Sequence, residues 1–244
     1  MLPVSLCIDF GNTNFKAAIF QSDRLVEKYQ FKEKEAMPML KKIISLYNPE
    51  KSILSSVVNH EEGIVNLLKE STSYLKLDLT TKLPFLNAYG SPETLGHDRI
   101  ALVAGLSRHY PNENSLAISI GTCITYNFLA TNNAFRGGSI SPGVELRLRA
   151  MNEFTDKLPL IDREGHLSLL GYDTETSMRS GAINGVAAEI DGMLERYEQQ
   201  YGRINAVLTG GDAPFFESRL KKKIFADTNF LFKGLYAILE HNNK

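Results

Sequence analysis

The sequence predicts an α/β protein built from two similar halves, each a sheet flanked by helices, and three observations lead there. A strand-turn-strand device occurs twice. Leu6-Cys7-Ile8 runs into Asp9 and the turn Gly11-Asn12-Thr13, with 15–20 returning; 116–120 runs into Gly121-Thr122, with 124–129 returning. Each device is continued by further strand signal and then by helical periodicity, so the order of meander first and helices after is repeated. Finally, 244 residues, 43% hydrophobic and 23% charged, are ordinary globular composition with enough chain for one large domain or two of about 110 to 130 residues.

In the first half, 4–9, 15–20 and 25–31 suit a three-stranded meander. They are followed by a helix over 35–46, a buried strand over 52–58 and a helix over 61–70. The segment 99–108 carries Ile100, Leu102, Val103 and Leu106 at helical spacing and is expected to connect the halves. In the second half 116–120, 124–129 and 134–140 repeat the meander, with helices over 144–152 and 174–200. Residues 206–208 form a short buried strand that ends in Thr209-Gly210-Gly211. The expected division is 1–114 and 115–244, with the active cleft between. The apolar positions Ile183, Val186, Ala187, Ile190, Met193, Leu194 and Tyr197 give the long helix a face suited to a core or to a partner.

Composition also sets limits on function. The 27 Lys plus Arg nearly balance the 28 Asp plus Glu, so nothing argues for a nucleic-acid or anionic-membrane partner, and Lys221-Lys222-Lys223 reads as a solvated face. Cys7 and Cys123 both sit in apolar strand-like segments and read as small buried hydrophobes. There is no signal peptide or membrane-length apolar stretch, which makes the cytoplasm the expected location. His60, His97, His109, His166 and His241 show no metal-ligand spacing, and no Gly-x-x-x-x-Gly-Lys-[Ser/Thr] loop is present.

The chemistry-bearing residues cluster at the turns. A hairpin such as 6–20 can place one Asp and several backbone N–H groups around a phosphate or its metal ion, although a lone Asp-x-Gly is usually only a turn. Asp98 stands directly before the apolar-periodic segment 100–106, where it serves either as a helix cap or as a proton acceptor. Lys16 is either a phosphate ligand or a solvent-facing strand residue, and Arg99 either an anion binder or a surface helix residue. In isolation the glycine pairs are ordinary turn punctuation.

Taken in order, Asp9-x-Gly11-Asn12-Thr13, Tyr89-x-x-Pro92-x-x-Leu95-Gly96-x-Asp98-Arg99, Gly121-Thr122, Gly137-Gly138-x-Ile140-x-Pro142-Gly143 and Thr209-Gly210-Gly211 resemble the type III pantothenate kinases. The likeness runs from residue 6 to about residue 211. It implies duplicated actin-like (ribonuclease H-like) domains, a homodimer, and transfer of the ATP γ-phosphate to the primary hydroxyl of pantothenate, the first committed step of coenzyme A synthesis. On that resemblance Asp98 is the base and Arg99 pairs with the substrate carboxylate through two parallel N–H bonds. Asp9 faces the Mg²⁺ carried by ATP, and Gly11, Asn12, Thr13, Lys16, Gly121 and Thr122 surround its phosphates. Gly210 and Gly211 approach the adenosine end. Tyr89, Gly96 and Thr174 surround pantothenate, with Thr174 supplied by the partner subunit.

Two positions depart from the family pattern. Ser119 and Asn127 stand where the family has Asp, and the carboxylate at the first helps hold an activating monovalent cation, K⁺ or NH₄⁺. A hydroxyl or an amide holds a cation less well than a carboxylate does, so a weak cation response is expected. The same departures keep open a catalytically weakened, nucleotide-binding regulatory relative. A third reading is an actin-like kinase for another small hydroxylated substrate.

Overall fold

The computed structural model describes residues 3–11, 14–56, 58 and 60–243. They divide into two compact units, one comprising 1–109 together with 230–244 and the other 110–229.

The first unit begins with β1 (Val4–Phe10), β2 (Phe15–Gln21), β3 (Arg24–Phe31), α1 (Ala36–Tyr47), β4 (Lys51–Ser56), α2 (Glu62–Ser71) and β5 (Ser73–Lys76). A two-residue β6 (Leu86–Asn87) and the helix α3 (His97–His109) follow. The sheet order is β3-β2-β1-β4-β5, antiparallel through β3, β2 and β1 and parallel from β1 to β4 and β5. On one face Leu6, Ile8 and Phe10 of β1 pack with Leu40 and Ile43 of α1 and Ile64 and Leu68 of α2. Ser5 and Cys7, alternating with them, are buried as well. A central strand covered on both faces reads as a near-continuous apolar run, of which Leu6-Cys7-Ile8 is the uninterrupted part.

The second unit contains β7 (Ser115–Ile120), β8 (Cys123–Leu129), β9 (Ala134–Pro142), α4 (Val144–Glu153), α5 (Thr174–Tyr201), β10 (Asn205–Thr209), α6 (Ala213–Glu217) and β11 (Phe225–Ala226). Its strands run β11-β10-β7-β8-β9. β9, β8 and β7 are antiparallel neighbours, and β10 and β11 add in parallel. That is the succession of the first sheet, so the duplication expected from sequence is present in strand order and in strand direction. Cys123 differs from expectation: it is exposed, because it opens β8 directly after the Gly121-Thr122 turn, whereas Cys7 is buried as expected.

Helix α5 starts with reciprocal capping: Thr176 N–H donates to the Asp173 carboxylate at 2.8 Å, and Asp173 N–H donates to the Thr176 hydroxyl at 3.1 Å. Ile183, Val186, Ile190 and Leu194 are buried in the core of this unit, with Ala187, Met193 and Tyr197 packed against it. The apolar face of the helix therefore belongs to its own core.

The final helix, α7 (Phe230–Asn242), returns to the first unit and packs on α3, β1 and β4. The division thus differs from 1–114 and 115–244: α3 closes the first stretch at His109, and the last helix belongs with it. Residues Phe230, Phe232, Gly234, Leu235, Tyr236, Ala237, Ile238 and Leu239 are all buried, so the segment has no polar stripe to reveal a helical period. The α3 and α7 backbones approach closely, because a methyl group on Gly234 would lie 1.7 Å from the Ala101 carbonyl oxygen.

Candidate active site

In the first unit Asp9 lies near the end of β1, with Lys16 as its register partner on β2 and Ser55 on β4. The Ser55 hydroxyl donates to Asp9 Oδ1 at 3.0 Å. Burial pushes the Asp9 carboxyl up to about 6, against Ser55 and Lys16, which favour the anion, and with help from the negative charge of Asp98. The two carboxylates singled out from sequence therefore lie within electrostatic reach of one another. The turn beyond Asp9 is closed by Gly11 N–H donating to the Asn14 carbonyl at 3.3 Å and by Phe10 stacked on Phe15 with ring centroids 3.9 Å apart. Asn12 and Thr13 lie outside the described residues.

At the start of α3, Ile100 N–H donates to the Gly96 carbonyl, so Asp98 is the second residue of the helix and does not occupy its cap position. Its side chain is exposed, and the carboxylate folds back over Gly96, where a methyl group would lie 2.4 Å from Oδ1. The next residue behaves oppositely: Arg99 is only 5% exposed, with its guanidinium carbon 5.4 Å from the Tyr89 ring centroid. Arg99 is thus no surface helix arginine. Burial lowers the pKa of His97, opposed first by the negative charge of Asp98 and then by the Ser56 backbone. The end of β4 accordingly ties down Asp9 through the Ser55 hydroxyl. Sequence analysis did not single out Ser55 or His97 as site residues.

In the second unit the turn Gly121-Thr122 is held by backbone contact from two sides. Gly143 N–H donates to the Thr122 carbonyl at 2.9 Å, and a methyl group on Gly143 would lie 2.0 Å from the Gly121 carbonyl oxygen. Gly210, at φ +92, would bring a methyl group within 2.3 Å of the Ile120 carbonyl oxygen. These glycines are thus required by packing, whatever else they do. Ser119 has Thr125 and Thr209 as register partners, the place in this sheet that Asp9 holds in the first, between Lys16 and Ser55. Asn127 is fully buried, donating to the Ala117 carbonyl at 3.3 Å and to the Thr125 hydroxyl at 3.1 Å. An Asp there could not donate, so the amide suits this interior. Thr174 is the first residue of α5 and is exposed.

Sequence reasoning also missed an ionic cluster behind the turn, formed by Arg147 and Glu189 with Tyr126 and Ser141. Its members are scattered through the chain, so no local pattern announces them.

The fold is shared with solved structures of low sequence similarity. A Baf family protein from Campylobacter jejuni matches with a TM-score of 0.61 at 19% identity over 98% of each chain. The ethanolamine utilization protein EutJ from Carboxydothermus hydrogenoformans matches with a TM-score of 0.52 at 12% identity over 97% of this chain and 89% of that one. The fold is of the duplicated actin-like α/β class, and the family matches that follow make it a phosphotransferase. The family model for type III pantothenate kinase matches residues 5–196. The type III pantothenate kinase of Christiangramia forsetii is 42% identical over 98% of this chain and 99% of its own length; that of Bacteroides fragilis is 39% identical over the same shares. The chain belongs to the type III pantothenate kinase family.

Proposed function

We propose that the first unit supplies the reacting groups for phosphorylation of pantothenate by ATP, with Asp98 accepting the proton of the attacking primary hydroxyl. The supporting observation is the pairing at the start of α3 of an exposed carboxylate with a buried guanidinium braced by Tyr89. Arg99 and Tyr89 hold the pantothenate carboxylate end, and Gly96 leaves room for the Asp98 carboxylate to fold back toward the hydroxyl. Phosphoryl transfer needs chiefly positioning and charge neutralisation, so a single well-placed base suffices.

Asp9 fits a ligand for the magnesium of ATP. Ser55 fixes one of its oxygens, and burial disfavours its anion until a cation arrives. Mg²⁺ held there would supply neutralisation of the phosphate charge. Lys16, the register partner of Asp9, adds a positive charge for phosphate. In the second unit Gly121, Thr122, Gly210 and Gly211 are the residues assigned to the nucleotide.

The monovalent cation fits this chain poorly. Ser119, Thr125 and Asn127 present only neutral groups, and the Asn127 amide nitrogen is directed at protein oxygens. In a coupled assay with ATP, Mg²⁺ and pantothenate at constant ionic strength, K⁺ or NH₄⁺ titration is expected to give a nearly flat rate, and Ser119→Asp a saturable rise. Strong activation of the unmodified protein would show that neutral oxygens already bind the ion.

The working form is a homodimer in which Thr174 reaches the partner's pantothenate. The segment 154–173 forms no helix or strand and exposes Phe154, Leu169, Leu170 and Tyr172, each more than 70% accessible. Exposed apolar side chains of this kind, with Tyr172 two residues before Thr174, suit an interface between copies. Sedimentation at assay concentrations should show a dimer, and a fully active monomer would contradict this arrangement.

A further inference from the structure

We propose that Arg147 and Glu189 are positioning residues that set the nucleotide turn Gly121-Thr122 and thereby the affinity for ATP. This rests on assigning that turn to the nucleotide.

The geometry forms a continuous chain within the second unit. Glu189 projects from α5, and one of its carboxylate oxygens, Oε1, accepts from the Tyr126 hydroxyl of β8 at 3.0 Å and from the Ser141 hydroxyl of β9. Its other oxygen takes an ionic hydrogen bond from Arg147 of α4. The Arg147 Nε–H donates to the Pro142 carbonyl at 2.8 Å. Pro142 precedes Gly143, and Gly143 lies flat on the Gly121-Thr122 peptide with its N–H on the Thr122 carbonyl. One carboxylate and one guanidinium therefore fix the end of β9 and the entry to α4 against α5, and the turn takes its position from Gly143. The pair is about three-quarters buried, with side-chain exposures of 22% for Arg147 and 25% for Glu189. Glu189 and its own burial both raise the Tyr126 pKa, keeping that hydroxyl protonated as a donor.

An arginine is required for this geometry. Its fork bonds the Pro142 carbonyl through Nε while a terminal nitrogen meets Glu189, whereas a lysine ammonium keeps the charge but not the fork. A merely structural ion pair would behave differently, since replacing both partners by neutral groups of similar shape often restores stability.

Three variants separate these cases, assayed as full-length enzyme with Mg-ATP and pantothenate. Arg147→Lys is expected to raise KM for ATP about tenfold and change kcat less than about threefold, with KM for pantothenate unmoved; a tenfold change corresponds to ~1.4 kcal/mol. The double variant R147M/E189Q, which removes both charges while Gln still accepts from the two hydroxyls, should melt with the wild type yet keep the raised KM for ATP. A wild-type KM for ATP in either variant overturns the proposal. Thr122→Asp tests the underlying assignment through charge repulsion: an unchanged KM for ATP there means that the turn does not meet the nucleotide. A raised value there combined with wild-type behaviour of Arg147→Lys sinks only the bracing role.

Discussion

Asp98→Asn is expected to fold like the wild type and to lose about 10²- to 10⁴-fold in kcat, because an amide cannot accept the hydroxyl proton in the transition state. The site's geometry makes the change nearly isosteric. The side chain is exposed in the first turn of α3 and occupies no cap position, so its removal leaves the helix start intact. Melting temperature should move little, and KM for pantothenate should change far less than kcat, since Arg99 and Tyr89 remain in place. Steady-state kinetics with a thermal melt check both halves. A variant with near-normal kcat would reduce Asp98 to a structural residue.

Asp9→Asn should produce the opposite pairing of effects, a more stable protein with little activity. A carboxyl whose pKa rises on folding, here from about 4 to about 6, binds its proton more tightly in the folded state. Relative to the unfolded chain, the group costs nothing below the unfolded pKa. As pH rises through about 4 to 6 its ionisation increasingly destabilises the fold, and above that the cost is constant. Two units correspond to roughly 3 kcal/mol at pH 7.5, an upper figure because local water and side-chain adjustment reduce it. Thermal melts of the nucleotide-free protein at pH 7.5 should therefore show Asp9→Asn above the wild type, with the gap closing toward pH 4. Turnover should fall about 10²-fold or more, because the variant loses the charge that meets magnesium. A variant that melts below the wild type at pH 7.5 would contradict the account of Asp9 as a strained, buried carboxylate awaiting a cation.

Much of the framework around the candidate site was legible in the sequence because local rules decide it. The apolar runs ending at Ile8 and Ile120 are the central strands β1 and β7, each followed by a returning strand. The repeated order of strands and helices gave the duplication. What could not be read depends on contacts between distant segments. Ser55 meets Asp9 only through the parallel register of β4 on β1. α7 carries no stripe to mark it as a helix and no local signal that it rejoins the first unit. Arg147 and Glu189 lie far apart in sequence and look like ordinary charged helix residues until α4, α5, β8 and β9 are assembled. Arg99 shows the same limit from the other side: its spacing suited a solvent-facing helix residue, yet the fold buries it against Tyr89.

With Asp98 as the proposed base and Asp9 as the proposed magnesium-facing carboxylate, the reaction is transfer of the γ-phosphate of ATP onto pantothenate. Mass spectrometry of the products formed from ATP, Mg²⁺ and pantothenate tests it most directly, with the wild type and Asp98→Asn run side by side and parallel reactions offering sugars and polyols. The expected products are 4'-phosphopantothenate in equal amount with ADP from the wild type, almost none from Asp98→Asn, and no phosphorylated sugar or polyol from either. ATP bound without turnover, or a phosphorylated sugar or polyol with pantothenate left untouched, would contradict it.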